Sequence, residues 1–305
     1  MSGSPFDLQD QEAWQAWRRW KLEVRPRSVA ELVVQVRDPF ALAAEEKEAI
    51  LDRCRRANMA VYQLAEGPGD REVVRAIGLQ LGLRRLDHNL CADEDSITSL
   101  RVRKDRSRNE GYVPYSNRPL TWHTDGYYNL PEHTIRGLLL HCVRDAAKGG
   151  ENLLLDHELV YLRLRDMEPR YIEALMAEDA MTIPPNIENG VRIRGARSGP
   201  VFSVDAVSGA LHMRYSGRMR NIEWRDDPLT REAVEAMREL MDESRNPDMF
   251  RHRMQPGQGL ICNNVLHNRT GFEDDEATGR TRLMLRARYY DRIADTGPLD
   301  APLAA

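Results

Sequence analysis

The sequence predicts a mainly β protein with helical insertions, built as one antiparallel β-sandwich or barrel decorated with helices. Three observations favour this class. Many short apolar runs of strand length are separated by turn residues. A few longer stretches repeat their apolar residues at the spacing of an amphipathic helix. The helix–strand–helix pattern near the N-terminus has no GxGxxG after its strand, which argues against a dinucleotide-binding domain.

Composition describes an ordinary globular protein. The 305 residues suffice for one large domain or two small ones, and 41% hydrophobic and 30% charged residues provide an ample core. A net charge of −4 argues against general binding to nucleic acid or to a membrane surface. The four cysteines are scattered without a CxxC pair, so neither a disulfide framework nor a zinc knuckle is expected. With no apparent signal peptide or bilayer-spanning run, we expect a reducing, cytoplasmic compartment.

The N-terminal region is predicted to form helices around two short strands. Trp14 and Trp17 lie three residues apart in a helix over 10–22 and therefore share a face. They are expected to pin this helix onto the body of the protein or onto a partner subunit. The elements that follow are predicted as a strand at 33–36, a helix at 44–58, a strand at 59–64 and a helix at 70–82.

The rest of the chain predicts short strands interrupted by helices. A polar loop at 103–118 precedes the stretch at 121–129, and a loop of this length inside a domain is usually functional. With no internal repeat or linker, we expect a single domain over 1–305, with an N-terminal helical extension at 1–40, a core at 41–292 and a tail at 293–305. Strands are predicted at 97–102, 134–143, 151–155, 190–195, 199–205, 210–215, 251–255, 260–264 and 282–290, and helices at 157–165, 169–176 and 229–244.

The stretch TWHTDGYYN at 121–129 carries two candidate metal ligands. His123 and Asp125 are separated by one residue, and residues i and i+2 of a β-strand project from the same face. An imidazole and a carboxylate placed in this way supply two of the three ligands of a two-histidine-one-carboxylate triad. That arrangement suits non-haem Fe(II) because it leaves three positions open. Taken alone, the pattern is more often a surface turn that happens to hold these two residues, so a metal site needs support elsewhere in the chain.

Among the eight histidines, His267 is the candidate for the third ligand. Arg282 and Arg286 follow it in the segment TRLMLRARYY, and on a strand two residues four apart share a face. Buried arginines need anionic partners, and a small dicarboxylate would satisfy both of them through bidentate hydrogen bonds. The apolar residues between them argue against a pair of surface arginines on an edge strand. His141 lies in an apolar run and is interpreted as a core residue or one that supports a ligand.

Four motifs in one order carry a family resemblance: HTDG at 123–126, KGGEN at 148–152, NNVLHNRTGF at 263–272 and RLMLR at 282–286. Over residues 40–292 the chain resembles the taurine dioxygenase/TfdA-like group of Fe(II)- and 2-oxoglutarate-dependent oxygenases, which are related to γ-butyrobetaine hydroxylase and clavaminate synthase. The resemblance implies a double-stranded β-helix (a jelly-roll or cupin-like core) with helical insertions. It also implies hydroxylation of an unactivated C–H bond with O2, while 2-oxoglutarate is converted to succinate and CO2.

The resemblance further implies roles for single residues. His123, Asp125 and His267 would bind iron, and the retained carboxylate points away from halogenation, since halogenating members carry a small residue there. Arg282 would hold the distal carboxylate of 2-oxoglutarate. Arg286 would lie near its other end or near an anionic group of the substrate, which makes it a candidate for both catalysis and cofactor binding. Where members commonly have a threonine in contact with 2-oxoglutarate, the chain has Asn152, whose amide can still donate to a carboxylate.

Candidate substrate residues come from three segments around the motif. A small polar substrate that is anionic or zwitterionic, with a carboxylate or a sulfonate, would meet the arginines of the segment RYSGRMR and of the residues before it. The alternative is a solvated face whose arginines are balanced by Asp226 and Asp227. The candidates are Tyr112, Asn117, Tyr127, Asn129, Arg214 and Arg218, with Arg192, Arg194 and Arg197 upstream.

Two alternatives to hydroxylation stay open. The same iron site could catalyse desaturation, epoxidation or cyclisation, which sequence does not separate from hydroxylation. The chain could also be a catalytically silent homologue that binds its ligand without turnover, although the complete triad and the arginine pair argue against this. A small-molecule substrate is expected, with no nucleic-acid or membrane partner. Because relatives often self-associate, a homo-oligomer is expected as well.

Overall fold

The computed structural model describes residues 3–88, 95–102, 113–188, 190–218 and 222–298. Its helices interrupt a chain that consists mainly of short strands, as the sequence predicts. Single turns of 3-10 helix lie at Val113–Tyr115 and Pro131–His133. The α-helices are α1 (Gln11–Val24), α2 (Val29–Leu32), α3 (Ala44–Ala57), α4 (Arg71–Gln80), α5 (His157–Met167), α6 (Pro169–Leu175) and α7 (Pro228–Leu240).

The strands are short, and most connect to their neighbours through turns. The first half contains β1 (Val33–Val36), β2 (Met59–Leu64), β3 (Thr98–Leu100), β4 (Leu120–His123), β5 (Gly137–Arg144), β6 (Lys148–Gly149), β7 (Asn152–Leu155), β8 (Met181–Ile183), β9 (Asn186–Glu188) and β10 (Val191–Arg194). The second half contains β11 (Arg197–Gly199), β12 (Phe202–Val204), β13 (Leu211–Met213), β14 (Glu223–Trp224), β15 (Phe250–His252), β16 (Gln258–Cys262), β17 (Leu266–Arg269), β18 (Phe272–Glu273) and β19 (Leu283–Tyr289).

Two larger sheets dominate the described part of the chain. A six-stranded sheet has the order β1-β2-β16-β5-β19-β3, and a four-stranded sheet has the order β15-β7-β17-β4. All neighbouring strands in them are antiparallel except β1 and β2, which run parallel. Thus β1, which falls within the predicted N-terminal extension, pairs directly into the main sheet. The remaining strands form smaller sheets of two or three strands each. The predicted class, many strands with a few helices, is confirmed.

The six-stranded sheet is buried on both faces because its apolar residues alternate. Leu139 and Ile261 pack with the apolar residues of α3 and α4 on one face. Their neighbours Leu138 and Leu260 point the other way and pack with Leu154 of the four-stranded sheet. This period of two is the expected consequence of strand geometry. The two sheets therefore lie face to face, and α3 and α4 cover the outer side of the larger one.

A helical layer covers the far side of the four-stranded sheet. Leu155 and Leu266 from that sheet share an apolar cluster with residues of α1, α5, α6 and α7. Trp14 and Trp17 belong to this cluster and pack against each other. The ring of Trp14 also packs against Tyr161 of α5, and the ring of Trp17 packs against Phe6. The two tryptophans therefore pin α1 onto the body of the same chain, the first of the two alternatives that the sequence allows.

Most predicted elements are present, and their ends differ by a few residues. The hairpin expected around Ser208-Gly209 is formed by β12 and β13, which pair antiparallel. The predicted strand at 97–102 is shorter and covers Thr98–Leu100. Among the described residues, no helix has both the length and the apolar character needed to cross a bilayer.

Candidate active site

Two of the predicted ligands face each other on neighbouring strands. His123 ends β4 and lies directly opposite His267 of β17 in the antiparallel register. The centroids of the two imidazole rings are 4.3 Å apart. Side chains on directly opposed residues of an antiparallel pair are close neighbours, so the strand ladder itself sets this spacing.

Asp125 lies near the two imidazoles but in a turn. The prediction that Asp125 lies on the same strand as His123 is wrong, because β4 ends at His123 and Gly126 takes a positive φ of 71°. A Cβ at Gly126 would lie 2.4 Å from a side-chain carbon of Ile135, so only glycine fits this turn. The Asn264 amide holds the turn: it accepts from Asp125 N at 2.8 Å and donates to Asp125 O at 2.9 Å. One ligand atom from each of the three residues lies within 4.8 Å of the others.

Hydrogen bonds orient both imidazoles for metal binding. His123 Nδ1 lies 2.8 Å from Thr121 O, and His267 Nδ1 lies 2.9 Å from Val265 O. Because a carbonyl oxygen can only accept, each Nδ1 carries the proton and each Nε2 keeps a lone pair. Burial lowers the pKa of His123 to about 3 and also lowers the pKa of His267. Both rings are therefore neutral at pH 7, the form that binds metal.

The carboxylate of Asp125 is ionised and incompletely satisfied. Burial alone would raise its pKa, but the positive charges of Arg286 and Arg288 bring that pKa well below its usual value. Arg286 Nη1 lies 3.4 Å from Asp125 Oδ1, whereas Asp125 Oδ2 is buried and has no hydrogen-bond partner among the described residues. Two neutral imidazoles and one carboxylate with an unpartnered oxygen form a donor set that fits a divalent transition metal such as Fe(II).

Arg282 lies one residue before β19 and is only 6% exposed. Its guanidinium stands over the Phe272 ring, with 5.2 Å from Cζ to the ring centroid. Burial lowers the pKa of Arg282 to about 10, against the opposing effect of the nearby Asp274 carboxylate, which accepts from the backbone N–H of Arg282 at 2.8 Å. Together with Gly150 and Asn152 it lines a small cavity. The amide of Asn152 donates to Asn268 O at 2.9 Å, which leaves its second N–H for a ligand.

Arg288 is a residue of this region that the sequence reasoning missed. It lies two positions beyond Arg286 on β19, so the alternation rule applied to Arg282 and Arg286 could have found it. Arg288 is buried, bonds Asp87 and donates to Tyr128 Oη at 3.1 Å. Together with Arg286 it supplies the positive charge that keeps Asp125 ionised.

The candidate substrate residues differ in their positions and contacts. Tyr127 follows the turn that holds Asp125, and its ring packs edge-on against Tyr128 with centroids 5.1 Å apart. Asn129 closes the same turn, since its N–H donates to Gly126 O at 2.8 Å. Asn117 is exposed, and its carbonyl accepts from the backbone N–H of residue 272. Tyr112 lies outside the described residues.

The two candidate arginines of the RYSGRMR segment also differ. Arg214 donates from Nη2 to the carbonyl oxygens of Met181 and Arg197, so its guanidinium connects the backbones of β8 and β11. Arg218 follows Gly217, whose N–H donates to Trp122 O at 2.6 Å, next to the metal strand. Arg218 therefore follows a residue that is bonded to the backbone of β4, while the guanidinium of Arg214 is bonded to the scaffold.

Sequence comparison gives one family over most of the chain. The family model described as "Taurine catabolism dioxygenase TauD, TfdA family" matches residues 23–288. A uridine-5'-phosphate dioxygenase of Amycolatopsis sp. is 30% identical over 176 residues, 56% of this chain and 60% of that protein. A uridine-5'-phosphate dioxygenase of Streptomyces sp. is 31% identical over 206 residues, 65% of this chain and 70% of that protein. The match thus spans somewhat over half the length of the first relative.

Solved structures show the same fold at low identity. The non-heme iron oxygenase OrfP, solved with Fe and alpha-ketoglutaric acid, has a TM-score of 0.58 at 18% identity and covers 90% of both chains. A taurine dioxygenase from Burkholderia xenovorans has a TM-score of 0.55 at 16% identity, over 87% of this chain and 89% of that one. The family match and the shared fold agree with the His–Asp–His geometry. The chain therefore belongs to the TauD/TfdA family of dioxygenases.

Proposed function

We propose that the chain is a non-haem iron dioxygenase that hydroxylates an unactivated C–H bond of a small polar substrate. It would use Fe(II), 2-oxoglutarate and O2 and release succinate and CO2. The observation that carries the proposal is the buried group His123, Asp125 and His267, with neutral imidazoles and one unpartnered carboxylate oxygen. Membership of the TauD/TfdA family supports the same reaction.

Different residues would bind the metal and the cosubstrate. His123, Asp125 and His267 would hold Fe(II), and Arg282 with Asn152 would receive the distal carboxylate of 2-oxoglutarate. When bound, the metal and 2-oxoglutarate supply the oxidising chemistry with O2. The protein supplies position and polarity. Burial keeps both imidazoles uncharged, and the arginines of β19 keep Asp125 ionised.

The fold proposal follows from the two facing sheets. We infer that the six-stranded and four-stranded sheets form a double-stranded β-helix, the jelly-roll core of such oxygenases, within a single domain. Their antiparallel order and shared apolar interior support this reading. A cytoplasmic location and self-association stay predictions.

For the substrate, we infer a small anionic molecule. The two curated relatives carry the name uridine-5'-phosphate dioxygenase, which makes uridine-5'-phosphate the first compound to test. Desaturation, epoxidation or cyclisation of such a molecule remains the second candidate, because the metal site is equally compatible with it. Product mass separates these outcomes: hydroxylation adds one oxygen atom, and desaturation removes two hydrogen atoms.

The test of the metal assignment compares His267→Ala with His133→Ala. His133 is an exposed histidine in the 3-10 turn Pro131–His133, and its ring packs against Tyr290. We expect the wild type and His133→Ala to bind Fe(II) anaerobically and to form succinate from 2-oxoglutarate. His267→Ala should lose more than roughly 100-fold of succinate formation, since even outer partners of a metal site are worth ~10–100-fold. Unchanged Fe(II) binding in His267→Ala would contradict the assignment.

The same assay decides between an enzyme and a silent homologue. A wild-type protein that binds Fe(II) and 2-oxoglutarate but forms no succinate, with or without uridine-5'-phosphate, would support the silent homologue. Succinate formation above a metal-free control, in step with consumption of 2-oxoglutarate, supports the dioxygenase.

A further inference from the structure

We propose that Asn264 is a positioning residue for the iron site, and that it sets the place of the Asp125 carboxylate by binding both backbone groups of Asp125. The proposal rests on the proposed function, because it concerns how that enzyme's site would hold Fe(II). Asn264 itself is assigned no contact with the metal or with the substrate. Loss of this one amide should therefore weaken Fe(II) binding by the folded protein.

Asp125 lacks the support that the two imidazoles have. His123 and His267 lie on paired strands, whose hydrogen bonds set the distance between them. Asp125 lies two residues beyond the end of β4, in a turn outside the strand ladder. Its carboxylate gains little further support, since Arg286 Nη1 is 3.4 Å from Oδ1 and Oδ2 has no hydrogen-bond partner among the described residues. The place of the carboxylate therefore depends on the backbone of Asp125.

Asn264 binds that backbone through both ends of its amide. Its Oδ1 accepts from Asp125 N at 2.8 Å, and its Nδ2 donates to Asp125 O at 2.9 Å. The Nδ2 group also donates to Ile135 O at 2.7 Å, in the segment that leads into β5. A primary amide has one acceptor oxygen and two N–H donors. All of these groups are used, so the amide is fixed in orientation and ties the Asp125 turn to a second segment.

The backbone of Asn264 restricts the residue types that can do this. Asn264 lies in the connection from β16 to β17, is 1% exposed and has a φ of 51°. Among residues with a Cβ, asparagine and aspartate adopt this left-handed conformation most readily. Aspartate would set a carboxylate oxygen against the two carbonyl oxygens that Nδ2 binds. Glycine would leave those carbonyls and the Asp125 N–H without their partner. Asparagine alone suits both the backbone and the contacts.

The same connection also orients a second candidate ligand. Val265 follows Asn264, and its carbonyl oxygen lies 2.9 Å from His267 Nδ1. The side chain of one residue and the carbonyl group of the next thus act on two of the three candidate metal ligands. Hydrogen bonds of this kind orient metal ligands, and their loss commonly weakens metal binding ~10–100-fold.

Asn58 provides a matched comparison. It is also 1% exposed and has a φ of 57°. Its Nδ2 donates to Asp156 Oδ1 at 2.9 Å. Its Oδ1 accepts from Asn263 Nδ2 at 3.1 Å and from Arg292 Nη2 at 2.7 Å. None of these partners is a candidate metal ligand, although Asn263 adjoins Asn264 in sequence. Glycine at position 58 or 264 permits the same backbone conformation and removes a buried, fully engaged amide.

The test measures the dissociation constant of Fe(II) by calorimetry under anaerobic conditions, and the urea midpoint of the metal-free protein. We expect Asn264→Gly and Asn58→Gly both to unfold at lower urea concentrations than the wild type, because each leaves buried polar groups unpaired. Only Asn264→Gly should raise the dissociation constant of Fe(II), by roughly 10–100-fold. The stoichiometry of each titration gives the folded fraction, so the dissociation constant refers to folded protein.

Asn264→Asp is the second variant, and it decides the matter if Asn264→Gly does not fold. It keeps the side-chain volume and the acceptor for Asp125 N but loses the two donors. It should bind Fe(II) more weakly than the wild type, although its added negative charge would by itself attract the cation.

Wild-type Fe(II) affinity in folded Asn264→Gly would overturn the positioning role. An equal loss of affinity in Asn58→Gly would overturn it as well, because general loosening of the fold would then suffice. The proposed function is judged separately, from Fe(II)-dependent succinate formation by the wild type. An active wild type whose Fe(II) affinity survives the loss of the Asn264 amide would refute the positioning role alone.

Discussion

At the residue scale, Arg282 is the side chain whose state depends most on a ligand. It is buried beside Gly150 and Asn152, and among the described residues its guanidinium forms no ion pair, although the nearby carboxylate of Asp274 partly offsets its charge. A buried cation of this kind destabilises the free protein and stabilises the complex with an anion. Affinity for 2-oxoglutarate would then come partly from relief of that cost.

We predict that Arg282→Met raises the KM for 2-oxoglutarate roughly 10–100-fold, because hydrogen bonds to a charged group are lost. The same variant should unfold at an equal or higher urea concentration than the wild type when no 2-oxoglutarate is present, since methionine fills the site without a desolvated charge. Succinate assays and urea denaturation measure the two effects. A variant with a clearly lower urea midpoint would instead identify Arg282 as a structural residue.

The sequence predicts candidate ligands from the spacing of their residue types. It does not predict which side chains form hydrogen bonds with the backbone of distant segments. His123 and His267 were found from motif order, and the structure brings them together with Asp125. Arg214 looked equivalent to Arg218 in sequence. Nothing in a row of residue letters shows that the guanidinium of Arg214 is bonded to carbonyl groups of distant strands.

At the element scale, α1 is fixed to α5 by a buried charge network as well as by tryptophans. Lys21 of α1 is fully buried, with Nζ 2.7 Å from Asp156 Oδ2, and it also bonds Glu158. Burial opposes the charge on Lys21, but the two carboxylates outweigh it and raise its pKa. The pKa of Asp156 is lowered, because Lys21 and its hydrogen bonds outweigh burial.

We predict that Lys21→Met destabilises the protein by about 3–5 kcal/mol, because it leaves buried carboxylates without their cation. The control is Lys47→Met, a change on the exposed side of α3, which should alter stability by less than about 0.5 kcal/mol. Urea unfolding at pH 7 measures both. The contribution of ionised Asp156 to the free energy of unfolding is present above the pKa that Asp156 has in the unfolded chain. It is lost as the pH falls through the pKa of Asp156 in the folded protein. Acid should therefore reduce the difference in free energy of unfolding between the wild type and Lys21→Met. Equal stability of the two Met variants would refute the network's role.

Helices were easier to predict than the strand partners. The starts of α4, α5 and α7 are marked by Asp70, Asp156 and Asp227, whose side chains accept backbone hydrogen bonds as N-caps. The pairing of Tyr215–Gly217 with the segment that contains His123 has no comparable signal in the nearby sequence. It joins residues some ninety positions apart in the chain, as in the 91-residue separation of Tyr215 and Thr124.

At the scale of the whole molecule, histidines are buried in several layers. His141 lies in the six-stranded sheet, where Nδ1 is 2.8 Å from Tyr62 Oη and Nε2 is 2.6 Å from Pro68 O. His157 is the first residue of α5, and His123 belongs to the candidate metal site. Burial lowers the pKa of all three.

We predict that the metal-free protein loses stability as the pH falls from 7.5 to 5. A histidine with a lowered folded pKa binds a proton more readily when unfolded, so its contribution is present above about pH 6.5 and is lost as the pH falls towards the folded value. For His123, with a folded pKa of about 3, the loss is about 2 kcal/mol at pH 5. Urea unfolding at the two pH values measures the total. His141→Gln should show a shallower dependence than the wild type, and a flat profile in the wild type would contradict the prediction.

The direct pairing of His123 with His267 on neighbouring strands has a consequence for engineering. Both imidazoles are attached to one hydrogen-bonded strand pair, so their separation does not depend on any connecting loop. Arg194 comes from a separate two-stranded hairpin, and Arg218 lies just past the residues that pair with the metal strand. Variants in that hairpin or at position 218 should therefore leave the spacing of the two imidazoles unchanged.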